Sequence, residues 1–170
     1  MVDYTTIRAI LHKIEGEYNN YMVSSDVYMP QLLSKLATME FCGWIEESID
    51  EILHNYLDSH IVDPQIKNNI KAFVKDIHGL SFDKHIYKIF PLVIGANNWE
   101  NVLDALSIAD RNNFMTIANT YHKQRNSAAH VNTIIGVTSS YNAPSQVIVD
   151  FHKVESAIKV IETQVTNLRQ

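Results

Sequence analysis

The side chains of Arg125 and His130 have the chemistry that phosphoryl transfer on RNA requires. They frame the segment Arg125-Asn126-Ser127-Ala128-Ala129-His130. A neutral imidazole can take a proton from a ribose 2′-hydroxyl, and a guanidinium can hold a phosphate while negative charge develops on it. This reaction needs no metal, and almost nothing else in the chain suggests chemistry.

A helical projection brings these side chains to one groove. At about 100° per residue, Asn126 lies about 100° and His130 about 140° from Arg125. The long arginine side chain covers the offset, and Ala129, which falls between Arg125 and Asn126, leaves space. The spacing therefore predicts that Arg125, Asn126 and His130 converge.

His122 and Lys123 stand close to this segment in the sequence. His122 falls on the same face, about 60° from Arg125, and Lys123 adds positive charge. Two other interpretations stay open. Cations in the last helical turn complement the helix dipole. His122, Asn126 and His130 also form a row that could hold a metal weakly, but the segment has no acidic residue to complete it, so we predict no metal and no cofactor.

The elements that must position these residues are predicted to be helices. Apolar residues recur three and four positions apart, whereas strand-type alternation is scarce. The pattern predicts an all-α bundle of five to seven helices. We expect helices over about 3–23, 29–59, 64–79, 99–109 and 110–130, a further segment over 81–94, loops over 95–98 and 133–145, and a last helix from near Asp150.

Gly43 and Cys42 lie inside the longest predicted helix. An interior glycine costs about 1 kcal/mol relative to alanine. Gly43 either lets another helix approach closely or is simply tolerated. Cys42 is in an apolar stretch, and we expect it to be a core residue rather than a nucleophile.

Length and composition predict one domain over residues 1–170. The formal net charge of −5 argues against a general nucleic-acid binder, but not against a small basic site. No apolar run is long enough for a membrane span. The N-terminal residues do not resemble a signal peptide, and the chain has a single cysteine. We therefore expect a cytoplasmic protein that does not contact a membrane.

The segment from Arg125 to His130 resembles the R-x(4–6)-H motif of the HEPN superfamily (higher eukaryotes and prokaryotes nucleotide-binding). A second stretch, from Leu33 through Gly43-Trp44-Ile45-Glu46 to Leu53, is similar to the long early helix of the RiboL-PSP-HEPN-like branch. The closing helix fits as well, so the resemblance extends from about residue 30 onward.

The resemblance implies a HEPN-like bundle that forms a homodimer with two motifs facing each other, and a metal-independent endoribonuclease that is a toxin or phage-defence effector. Arg125 would bind the scissile phosphate, His130 would act as general base or acid, and Asn126 would orient the histidine or contact the phosphate. Glu46 would support the site, its alternative being a solvated carboxylate. The implied partners are RNA, a second copy of the chain, and a cognate antitoxin or defence partner.

One departure concerns Asn132. A toxin subset of the superfamily has a tyrosine two residues after the histidine, which its partner nucleotidyltransferase can modify, whereas this chain has Asn132 there. That puts silencing by this modification in doubt. Two other functions stay open: a non-catalytic HEPN module that binds RNA, a nucleotide or a protein, and a helical adaptor in which Arg125 and His130 only cap a helix.

Overall fold

The computed structural model describes residues 1–24, 26–77, 79–130 and 141–168, without the side chains of Ala129 and His130. Within these ranges it is all-helical, as the sequence predicts. Seven α-helices occur there, together with one π-helical segment, Phe82–Ile86 between α3 and α4: α1 Thr5–Met22, α2 Tyr28–His60, α3 Pro64–Asp76, α4 Tyr87–Ile94, α5 Ala96–Ala105, α6 Ile108–His130 and α7 Pro144–Asn167.

Helix α2 is the centre of the bundle. It packs against α1, α3, α4, α6 and α7, and it carries the fully buried Phe41, Ile45 and Leu53. The ring of Phe41 meets the edge of Tyr121 from α6 at a centroid distance of 4.8 Å. This contact fixes the side of α6 that faces α2.

The first three helices follow the sequence prediction closely. Helices α1 and α2 end within about two residues of the expected positions. Helix α3 begins as expected, with Asp63 as N-cap and Pro64 at the first position; Asp63 Oδ1 accepts from Gln65 N at 2.8 Å and from Ile66 N at 3.0 Å. It ends at Asp76, earlier than predicted.

Three later helix starts were predicted wrongly, and helix α5 ends at Ala105 rather than at the predicted residue 109. Helix α5 begins at Ala96, directly after Gly95. The φ of Gly95, 91°, turns the chain at one residue, where we expected a loop over 95–98. Helix α6 begins at Ile108 rather than at residue 110, because the hydroxyl of Ser107 caps it by accepting the hydrogen bond of Asp110 N at 3.0 Å. Helix α7 begins at Pro144 instead of near Asp150, because proline suits the first helical position.

The polar segment before α7 is only partly described. Residues 131–140, which include Asn132 and most of the predicted loop, lie outside the described residues. After them, Asn142 Nδ2 donates to the hydroxyl of Tyr121 at 3.0 Å, and that hydroxyl donates to Asp150 Oδ2 at 3.1 Å. These bonds hold the start of α7 against the middle of α6.

Two residues of α2 were singled out in the sequence. Cys42 is fully buried, as predicted for a core residue, and burial raises the pKa of its thiol to about 12. At Gly43, an added Cβ would meet nothing within 4 Å. No close approach within the described chain therefore explains this glycine.

No helix in the described ranges is long and apolar enough to cross a membrane.

Candidate functional site

Arg125 lies near the C-terminal end of α6, where it faces α2. Its Nη2 donates to Glu46 Oε2 at 3.1 Å. The Glu46 side chain is 5% exposed and that of Arg125 is 36% exposed. Glu46 is therefore a buried ion-pair partner of Arg125, and its alternative as a solvated carboxylate is wrong.

The environment of this pair explains why it forms. Glu46 lies in the part of α2 that packs against α6, one turn after Cys42. The thiol of Cys42 donates to the backbone carbonyl of Tyr121 at 3.7 Å. A carboxylate buried at a helix crossing needs a charged or hydrogen-bonding partner, and Arg125, one turn after Tyr121, supplies the guanidinium. Because Arg125 is partly exposed, it keeps N–H donors that can reach a ligand.

His122 and Asn126 form a second contact on α6. Asn126 Nδ2 lies 3.3 Å from His122 Nε2. Since an amide nitrogen only donates, this geometry assigns the acceptor role to Nε2 and the proton of the neutral ring to Nδ1. The resemblance implies that Asn126 orients His130 or contacts the phosphate, and this stays a prediction because the His130 side chain lies outside the described part; the contact that Asn126 makes in the described part is with His122.

Burial and neighbouring charges keep His122 neutral. Burial, followed by the positive charges of Lys84 and Arg125, lowers the pKa of His122 below its ordinary value of 6.5, while the negative charge of Glu46 opposes them. A neutral imidazole at physiological pH can accept a proton. His122 thus has the protonation state that a general base requires.

The π-helical segment brings two further residues to this cluster. The ring of His85 lies edge-on to that of His122, with centroids 5.4 Å apart, and Lys84 is close enough to affect the His122 pKa. Sequence reasoning did not identify Lys84 or His85. Their only signal was a short polar break, Asp83-Lys84-His85, between apolar stretches.

Asn119 and Gly79 hold this segment in place. Asn119 Oδ1 accepts from Ser81 Oγ and Phe82 N, both at 3.0 Å, and Asn119 Nδ2 donates to Asp83 Oδ2 at 2.8 Å. A Cβ at Gly79 would lie 2.6 Å from the imidazole of His85. The His85 ring therefore occupies space that only glycine leaves free.

The structure thus brings together Arg125, Asn126, His122 and Glu46 of the predicted site residues. Lys123 is exposed and, two positions before Arg125, lies about 160° away around α6. His130 is the last residue of α6, and its side chain lies outside the described part. In the described part, no group of three or more histidine, cysteine, aspartate or glutamate side chains could hold a metal ion.

We call the set of Glu46, Lys84, His85, His122, Arg125 and Asn126 the α6 cluster. It combines two cationic side chains and a carboxamide, all suited to phosphate oxygens, with a neutral imidazole suited to proton transfer. The chain matches no known family model, no curated protein and no solved structure.

Proposed function

We propose that this protein is a metal-independent endoribonuclease of HEPN type that acts as a toxin or phage-defence effector. The observation that carries the proposal is the placement of Arg125: a buried carboxylate orients its guanidinium beside a neutral histidine and a carboxamide. The resemblance of the 125–130 segment to the R-x(4–6)-H motif adds His130, one helical turn further along α6.

In this proposal the ribose 2′-oxygen attacks the adjacent phosphorus, and the bond from phosphorus to the 5′-oxygen breaks. His130 takes the 2′-hydroxyl proton or protonates the departing 5′-oxygen, and water performs the other of these two proton transfers. Arg125 binds the non-bridging oxygens, whose negative charge grows as the reaction proceeds. The products are a 2′,3′-cyclic phosphate and a 5′-hydroxyl. His122 and Asn126 support the site, with Glu46 orienting Arg125.

The test is cleavage of a mixed-sequence RNA by purified protein in the presence of EDTA. Arg125→Ala and His130→Ala should each lower the rate by about 100-fold or more, the size of effect seen when a transition-state donor or a general base is removed. Arg111→Ala, an arginine on the same helix, and His12→Ala, an exposed histidine on α1, are the matched controls. DNA and RNA methylated at the 2′-oxygen should not be cut.

The proposal fails if either site variant cuts as fast as the parent while both controls keep their rates. A native circular dichroism spectrum for each variant excludes loss of the fold as the cause of inactivity. Growth arrest on expression in bacteria, relieved by His130→Ala, would support the toxin role.

A second candidate function is a non-catalytic HEPN module that binds RNA, a nucleotide or a partner protein. The ion pair with Glu46 favours it, because this carboxylate already neutralises Arg125 in the free protein. RNA affinity that depends on Arg125, without turnover at any RNA concentration, would establish this function in place of the first.

A further inference from the structure

Helix α2 has an outer face that the described chain leaves uncovered. Tyr28, Leu32 and Leu36 are 41%, 36% and 42% exposed. Together with Met39 and Gly43 they lie within an arc of about 80° around the helix. Large apolar side chains grouped on one exposed face mark a candidate interaction surface, so this outer face is a candidate for a partner.

The outer face leads into a groove between α1 and α2 of about 440 Å³. Ile7, Ile10 and Trp44 form its apolar lining, and Glu40, Glu47 and Glu51 also line it. We call it the α1–α2 groove. It contains none of the α6 cluster residues.

Gly43 lies in this groove. A Cβ there would meet no atom within 4 Å, although glycine inside a helix costs about 1 kcal/mol relative to alanine. The packing of the described residues therefore gives no reason for glycine at this position. The missing side chain leaves room for a backbone that approaches from another molecule.

The charges that line the α1–α2 groove indicate what kind of molecule would bind there. Glu40 and Glu47 make no ion pair with any residue in the described ranges, whereas Glu51 pairs with the amine of Met1. A second copy would bring the same carboxylates to a symmetric interface, where like charges repel. RNA is excluded for the same reason.

We propose that the α1–α2 groove binds an amphipathic helix of a different protein, which carries lysine or arginine beside an apolar stripe. The apolar stripe packs on Leu32, Leu36 and the groove lining, passing close to the backbone at Gly43. The basic side chains pair with Glu40 and Glu47. Helix-in-groove binding of this kind uses anchors spaced along one helical face.

The test uses a fluorescein-labelled synthetic peptide with leucines on one helical face and lysines beside them, and fluorescence anisotropy as the readout. A scrambled peptide of equal composition and a peptide with glutamate in place of lysine are the controls. Only the basic amphipathic peptide should bind, and its affinity should fall as salt rises.

Two protein variants locate the site. Gly43→Met fills the groove and Glu47→Lys reverses a charge; each should weaken peptide binding about tenfold or more, which corresponds to about 1.4 kcal/mol. Glu100→Lys, the same charge change at an exposed position on α5, should bind as the parent does. Gly43→Met should raise the thermal midpoint slightly, because it removes the cost of an interior glycine, and should keep the parent's rate of RNA cleavage, which separates this inference from the proposed function.

Three results would overturn the inference. The first is that the basic peptide binds no more tightly than the scrambled one. The second is that Gly43→Met and Glu47→Lys both bind the basic peptide as the parent does. The third is that Gly43→Met converts a dimer into a monomer, which would make the occupant a second copy.

Discussion

The ion pair between Arg125 and Glu46 joins residues that stand 79 positions apart in the chain. Removing one partner of a fully buried pair costs about 3–5 kcal/mol, but Arg125 is about one-third exposed, so water reduces that cost. The same exposure lets the guanidinium remain in place while part of it faces outward. Glu46 thus fixes the direction of Arg125 before any ligand arrives.

At this scale, the titration of His122 gives a test of the α6 cluster. Its NMR-monitored pKa should lie below 6.5, because burial and the charges of Lys84 and Arg125 disfavour the protonated ring. Lys84→Ala should raise that pKa, whereas Lys88→Ala, an exposed lysine on α4, should leave it unchanged. The unfolded chain binds this proton more readily, so the contribution of His122 makes the unfolding free energy fall as pH drops below about 6.5. A pKa at or above 6.5 would contradict the cluster as described.

At the scale of elements, helix spacing was enough to predict α1, α2 and the start of α3, because their apolar positions repeat regularly and Asp63-Pro64 is a strong start signal. The start of α7 was missed because Ala143-Pro144-Ser145 has the composition of a loop. No spacing of residue types within the sequence predicts the π-helical segment or its contact with α6. The shared face of His122 and Asn126 could be predicted from one helix, whereas the positions of His85 and Lys84 depend on packing between elements. The convergence of Arg125 and Asn126 with His130 stays a prediction, because the His130 side chain lies outside the described part.

The link between α6 and the π-helical segment should be measurable in Asn119→Ala. This change removes the acceptor of Phe82 N and Ser81 Oγ and the donor to Asp83, and should lower the free energy of unfolding in urea by about 1–3 kcal/mol. Amide hydrogen exchange over residues 82–86 should become faster. Asn112→Ala, an exposed position on the same helix, should change stability by less than about 0.5 kcal/mol. Equal stability of the two variants would show that Asn119 does not hold the segment.

For the whole molecule, the net negative charge and the cationic α6 cluster respond to salt in opposite ways. Net charge of −5 repels both RNA and a second copy at long range, and salt screens this repulsion. The phosphate contacts proposed for the α6 cluster would themselves be weakened by salt. The homodimer that the resemblance implies would place two such clusters in one cleft, which would concentrate positive charge without changing the overall balance.

Sedimentation velocity can test this assembly. We expect a homodimer at micromolar concentration, and dimerisation should strengthen when ionic strength rises from about 10 mM to about 150 mM, because like-charged chains repel less. RNA binding should weaken over the same range. A monomer at both ionic strengths would exclude the facing arrangement of two clusters.

Cys42, finally, can report how often the crossing between α2 and α6 opens. It is the only cysteine in the sequence, it is buried, and its thiol touches the α6 backbone at Tyr121. A thiol-modifying reagent reacts with the thiolate, which forms at Cys42 only after α2 and α6 separate. The rate of labelling therefore reports how often the crossing that joins Arg125 to Glu46 opens, with no probe added to the protein.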